Sequence, residues 1–414
     1  MKKCVLRTIL CLTFICILFA FCSCSASVEP DEQAYLIVLG IDKGEEKLYE
    51  ISLLIMSSAG EGNVTSAVTT LEADSLSDAF DKSDNAISKK LDARQLQLIL
   101  ISREAIEEKG HMLFDNITND PQIRHTVHVG MCEEKVKDVI VGIKPDLNDD
   151  INKYISTIFN KQYGQIMPNT TVADIFFTRD LPHSSVIIPI LFESINDNKD
   201  NGNKDITDGI DENNAKEEEN DDEEKGQVQE SKLKELPENS ICSGVAVIKN
   251  NRIEDIWDKE KTDLYMLAAG KSKKSMRIFD LLKIDGEVVY LKNTSAPHIK
   301  VKVDDYHAYI TYKIDLVAEY QTLSGEKKNG YEMDELKKKI EDKCERKMKE
   351  MFELSFANNV DIFDVYKYSY AQFKDYKEFQ RFNWNDKYKN SEVKTEVAVA
   401  IKSKNQQYLK KSTH

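Results

Sequence analysis

The sequence predicts an α+β protein of mostly antiparallel or mixed sheets covered by helices, its structured regions joined by a disordered acidic segment. Three observations predict it. Over residues 34–191, short apolar runs of strand length alternate with stretches of helical period. Over residues 241–401, strictly alternating strands surround one long amphipathic stretch. Between the two, residues 193–238 lose the apolar pattern.

At the amino end, Lys2, Lys3 and Arg7 precede an uncharged apolar run from Ile9 to Phe21, which leads into Cys22-Ser23-Cys24-Ser25. A basic start, a short apolar core and a small-residue exit make a secretory signal. The run is shorter than the roughly 20 residues a bilayer span needs. Ser23-Cys24 is similar to the processing site of bacterial lipoproteins, in which the cysteine receives a diacylglyceryl group. Residues 1–23 are expected to be a lipoprotein-type signal peptide, with Cys24 the lipidated residue of a tether over 24–34. A plain cleaved signal and an uncleaved helical anchor are the alternatives. Two acyl chains hold stably where one is marginal, at about 0.8 kcal/mol per buried CH₂.

Of eight cysteines, five belong to this leader; Cys132, Cys242 and Cys344 remain, odd in number and far apart. They form neither a disulfide framework nor a Cys-x-x-Cys pair, and read as buried thiols.

The apolar run 34–41 predicts a strand, Asp42 to Glu46 a turn, and Leu48 to Met56 a returning strand. A Ser/Gly/Thr-rich loop follows. Leu76, Ala79, Phe80, Ser83, Ile87 and Leu91 mark one helix face, with Ser75 and Asp78 placed to cap it. Leu96 to Ile101 is a central strand, 104–117 a helix, Thr126 to Cys132 a strand, and Glu133 to Val141 a helix stopped by Gly142. Ile151 to Phe159 is a further helix, Thr170 or Thr171 caps a short one through Phe177, and Val186 to Leu191 is a strand. This stretch, 35–192, is expected to be an N-terminal domain.

Residues 193–238 hold seventeen Asp/Glu and six Lys, a net charge of −11 out of −15, so the rest of the chain carries −4. Such a segment cannot bury enough apolar surface to offset its ordering entropy, and reads as a disordered linker or inserted loop. Free, its ends would average roughly 35–40 Å apart. The nearly neutral body has no basic stripe for nucleic acid.

Beyond it, Ser243 to Ile248 and Arg252 to Trp257 form a hairpin around Asn250-Asn251, and Lys259 to Ala269 a helix ending at Gly270. Asp285-Gly286 turns a second hairpin between Phe279-Leu281 and Val288-Leu291. Residues 299–303 and 310–316 alternate as strands with one wet face. Met333, Leu336, Ile340, Cys344, Met348 and Met351 line one side of a long helix, and Val393 to Ile401 is a last strand. This region, 239–405, is expected to be a C-terminal domain.

A search for chemistry returns little. His125 and His128, three apart on a strand, fall on opposite faces and make a poor metal pair. Asp304-Asp305 reads as a turn rather than a carboxylate pair. No Gly-x-Gly-x-x-Gly, Walker, Gly-x-Ser-x-Gly or His-Glu-x-x-His pattern is present. The aromatic run from Phe363 to Phe382 reads as core, with a partner-facing patch as the alternative. We expect no enzyme, no metal, no cofactor and no catalytic residue.

The order of segments resembles the Ger(x)C family, the C subunits of bacterial spore germinant receptors. The resemblance rests on Leu36 to Gly44, on Leu76 to Ile101 and on Asp120-Pro121-Gln122-Ile123-Arg124. It continues in Ser243 to Ile248 with Arg252-Ile253, Asn359-Val360-Asp361-Ile362-Phe363, Asn383-Trp384 and 392–401. Ser25-Ala26-Ser27 departs from the Trp and acid common after the family's lipidated cysteine. The resemblance implies three α/β-type modules, an N-terminal domain to residue 192 and a C-terminal pair dividing near 295. It also implies anchoring to the outer face of the spore inner membrane, beside integral-membrane A-type and B-type subunits, and a role in nutrient-triggered germination. It carries over no ligand pocket. The alternative reading is a solute-binding lipoprotein delivering a small molecule to a transporter, a class with two similar lobes around a cleft.

Overall fold

The computed structural model describes residues 32–58, 64–143, 151–159, 167–178, 181, 184–191, 241–272, 283–284, 287–304, 307–322 and 330–403. The signal segment, Cys24, the acidic stretch 193–238 and the expected strand Phe279-Leu281 lie outside the described residues. The protein is α+β, with mixed sheets covered by helices. It divides into two compact units, one drawn from residues 1–129, 136–160 and 170–180, the other from 130–135, 161–169 and 181–414.

In the first unit β1 (Gln33–Lys43) is the centre, with Leu36 to Asp42 all buried. β2 (Tyr49–Ser58) pairs antiparallel with it, and β3 (Val64–Ala73) antiparallel with β2. The sequence reading took 57–75 as loop. Val64 to Thr70 is rich in Thr, Ser and Val, which suit a pleated edge but show no apolar period when most of the strand stays wet. α1 (Leu76–Ala86) is capped by Ser75, whose Oγ accepts from Asp78 N at 3.1 Å. Ile87 ends that helix, and Leu91 lies in β4 (Lys90–Asp92), which runs parallel to the start of β1. β5 (Leu98–Ser102) runs parallel to the rest of β1, and every one of its residues is buried. α2 (Arg103–Asn119) follows, capped by Ser102, and then β6 (His128–Cys132), within which the boundary between units falls.

α3 (Val136–Gly142) begins three residues later than the sequence suggests, and Asp42 is the reason. The sequence placed Asp42 in a turn, but β1 continues through it. Its buried carboxylate accepts from Val136 N at 3.0 Å and Lys137 N at 3.3 Å, capping α3 from 94 residues away. α3 sits so close to β1 that a Cβ at Gly40 would lie 2.7 Å from both Ile140 Cδ1 and Val136 Cγ1. α4 (Ile151–Ile158) and α5 (Val172–Thr178) complete the unit. Asp174 accepts from both the N–H and the hydroxyl of Thr171, at 2.9 and 2.7 Å, opening α5.

In the second unit β7 (Val186–Leu191) pairs antiparallel with β8 (Cys242–Lys249), and Leu191 is the register partner of Cys242. Leu191 and Cys242, on either side of the acidic stretch, are therefore neighbours across a strand pair. β9 (Arg252–Asp258) returns through Asn250 and Asn251, both at positive φ (50° and 63°), the geometry of a tight hairpin turn. α6 (Lys259–Ala268) is capped by Asp258 and ends before Gly270 at φ 69°.

A second sheet is built on β13 (Ala308–Thr322). β10 (Lys283–Ile284) pairs antiparallel with β11 (Glu287–Asn293). β11 and β12 (His298–Val303) share one edge of β13, each taking half its length. α7 (Gly330–Ala357) covers the sheet and buries Leu336, Ile340, Cys344, Met348, Met351 and Phe352. β14 (Glu392–Ser403) runs parallel along the other edge of β13. Its outer N–H groups do not meet water alone. Val397 N donates to Glu345 Oε1 at 3.0 Å and Val399 N to Glu341 Oε1 at 2.9 Å. Charged side chains closing an edge strand in this way prevent it from recruiting another.

Candidate docking surface

After α7 the chain turns through Asn359-Val360-Asp361-Ile362-Phe363. Asn359 and Asp364 take left-handed conformations (φ 51° and 54°), which Asn and Asp tolerate better than other side chains. Asp361 lies between them with its carboxylate buried, accepting from Val365 N at 2.9 Å and Tyr366 N at 2.8 Å. Those N–H groups open α8 (Tyr366–Tyr370). Burial pushes the Asp361 carboxyl up to about 7, against the pull of the amide donors.

Around it several elements converge. Ser185 Oγ donates to the Asp361 carbonyl at 3.1 Å, and Lys249 at the end of β8 donates to the Asn359 carbonyl. Ser355 of α7 donates to the Val360 carbonyl and lies 2.6 Å from the Tyr388 hydroxyl, whose ionisation burial pushes well up. Beneath, Phe363 packs 4.3 Å from Phe352, which meets Tyr312 edge-on at 5.3 Å.

From this base α8, α9 (Tyr376–Phe382) and α10 (Trp384–Tyr388) run as three short helices, broken by caps at Asp375 and Asn383. Phe379 is their buried pin, with Phe373 at 5.4 Å, Tyr370 at 5.6 Å and Trp384 at 6.3 Å. Gln372 Nε2 ties the loop between α8 and α9 to the Val301 carbonyl of β12 at 3.0 Å. The aromatic run thus divides. Phe363, Phe379, Trp384 and Tyr388 are core, whereas Tyr368, Tyr370 and Tyr376 keep 42%, 41% and 40% of their surface exposed. Three half-wet tyrosines on a rigid, aromatic-packed base form the kind of amphipathic surface that protein interfaces use. The sequence placed all of these residues in one run; the caps at Asp375 and Asn383 are the signal that its helices are too short to bury every ring.

Other residues singled out from sequence do not gather. His128 stacks on Phe159 at 4.0 Å and His125 lies 5.0 Å from Phe176. Among the described residues no group of three or more His, Cys, Asp or Glu could hold a metal. Asp304 closes a turn by accepting from His307 N at 2.7 Å, and Asp305 lies outside the described residues. Cys132, Cys242 and Cys344 are buried, and burial pushes the thiols of Cys242 and Cys344 up to about 12, far from a reactive thiolate. Cys24 lies outside the described residues.

Comparisons with known proteins define the family. Residues 26–192 match the family model described as spore germination protein N-terminal domain, and residues 243–404 match that described as spore germination B3/GerAC like, C-terminal. The chain belongs to this family, as a C subunit of a spore germinant receptor. A search of solved structures matches the crystal structure of the GerBC protein, at 13% identity and a TM-score of 0.47, covering 88% of this chain and 96% of that one. A search of curated proteins returns no match.

Proposed function

We propose that the protein is a non-catalytic, lipid-anchored subunit that holds a folded body at the outer face of the spore inner membrane and docks there onto integral A-type and B-type subunits. The observation that carries this reading is the pair of family matches, in order, flanking the acidic stretch. The apolar leader ending in Ser23-Cys24 supports the anchor. The exposed tyrosines of α8 and α9 support the docking. In this reading residues 1–23 are removed and the tether runs from Cys24 only to the start of β1, because Gln33 and Ala34, expected in the tether, are strand residues. Residues 35–192 and 239–405 are the two germination-protein domains, the second dividing near 295. No helix among the described residues is long and apolar enough to cross a membrane. In this reading attachment rests on Cys24.

Cys24→Ala tests the anchor. The expected outcome is a chain that loses its lipid mass and leaves the membrane fraction, with germination lost. A variant retained in membranes with normal germination contradicts the reading.

A further inference from the structure

We infer that the cleft beside the start of β1 is a binding site for the phosphate headgroups of anionic lipids, which seats the first unit on the membrane that holds its anchor. The inference rests on the lipid-anchor reading of Cys24. The cleft has a volume of about 410 Å³ and is walled by Gln33 and Lys90, by Asp92 and Arg94, and by Gln122 and Arg124. Three cations face one carboxylate there. Asp92 is spent on Arg94, which grips it with Nε at 2.9 Å from both oxygens and Nη2 at 2.6 Å from one. Lys90 and Arg124 are exposed, and among the described residues neither pairs with a carboxylate. Arg124, which also lines a neighbouring cleft with Leu96, donates one N–H to the Leu96 carbonyl at 2.9 Å, and its other donors have no hydrogen-bond partner among the described residues. The charged side chains lining the cleft sum to +2, on a chain of −15; the carboxylates of Asp84 and Asp120 accept from the backbone N–H groups of Leu91 and Gln122 in the same wall, each at 2.8 Å.

Its place in the chain names the occupant. Gln33, the register partner of Lys90, lines the cleft and is the first residue of β1. Eight residues, 25–32, separate it from Cys24. Even fully extended, that tether spans only about 30 Å. A cationic cleft held this close to a lipid surface meets anionic headgroups at high local concentration, and each Lys or Arg near such a surface adds attraction. The acids Glu29, Asp31 and Glu32 of the tether oppose it and are common to every arm of the test below.

The full chain, purified from membranes, is reconstituted into phosphatidylcholine vesicles and into vesicles with phosphatidylglycerol added. A membrane-impermeant amine reagent is then applied, and labelling at Lys90 is read by mass spectrometry against exposed Lys349. The expected result is Lys90 labelled roughly tenfold more slowly in the anionic vesicles. High salt or Arg124→Gln removes that protection, and Lys349 is labelled equally in both. Equal labelling of Lys90 in the two vesicles overturns the inference. The anchor is read separately, by flotation with phosphatidylcholine alone and by the mass of the Cys24 peptide. A chain that does not float contradicts the anchor, while Lys90 protection by excess anionic vesicles still decides the cleft.

Discussion

Asp361 shows what a single buried carboxyl does for the aromatic base. Its ordinary value is 3.8, and in the fold it rises to about 7. Stability from this group is fully present below pH 3.8. It falls as pH rises, because the unfolded chain releases its proton first, and is lost once pH passes about 7. That difference corresponds to about 4 kcal/mol. Asp361→Asn removes the dependence and leaves one of the Val365 and Tyr366 N–H groups without an acceptor, costing about 1–3 kcal/mol at pH 5. Urea midpoints at pH 5 and pH 8 check this: the gap between the wild type and the variant should narrow at pH 8, and parallel curves would refute it. Asp42 raises the same point on β1. Asp42→Ala strips the cap from α3 and should lower stability by about 1–2 kcal/mol in the same measurement. Neither role was legible in the sequence, because Asp beside Lys-Gly or Asn-Val reads locally as a turn. Only the tertiary fold brings the waiting N–H groups to it.

Elements were legible where one period dominates. β1, β5, β13 and α7 stand out because continuous apolar character, strict alternation or steps of three and four each point to one structure. β3 was missed because an edge strand with a wet surface carries no such period. The aromatic run was only half legible: its composition gave a packed cluster, but the division between dry and wet rings depends on where α8, α9 and α10 lie against β12 and α7. The closure of β14 by α7 is likewise tertiary. Glu341 and Glu345 look like an ordinary wet helix face, yet both accept strand N–H groups. Glu345→Ala should cost about 1–2 kcal/mol. Amide hydrogen exchange is the direct check, with the Val397 amide exchanging faster while the buried centre of β1 keeps its protection.

For the whole molecule, the order of the two germination-protein regions was legible from sequence, and so was the acidic stretch between them. That β7 and β8 pair across that stretch was not, because no local pattern records which strands become neighbours. The proposed role is that of a subunit held at the membrane and gripped by its neighbours. Its proposed docking face, Tyr368, Tyr370 and Tyr376, can be changed with Phe379 and Asp361 kept in place; Tyr370 packs edge-on against Phe379 at 5.6 Å, so its loss adds about 0.5–1.5 kcal/mol to the cost. Surface changes of this kind alter stability by about 0.5 kcal/mol or less each, whereas exposed anchors at an interface are worth about 1–2 kcal/mol or more. The most direct test is purification of the protein from spore membranes, as wild type and with those three tyrosines changed to Ser, followed by identification of what travels with it. We predict that integral-membrane proteins accompany the wild type and that the variant, present in membranes at the same level, loses them at least tenfold. A wild-type chain that emerges from the membrane alone, or a variant that keeps its companions, would contradict the account.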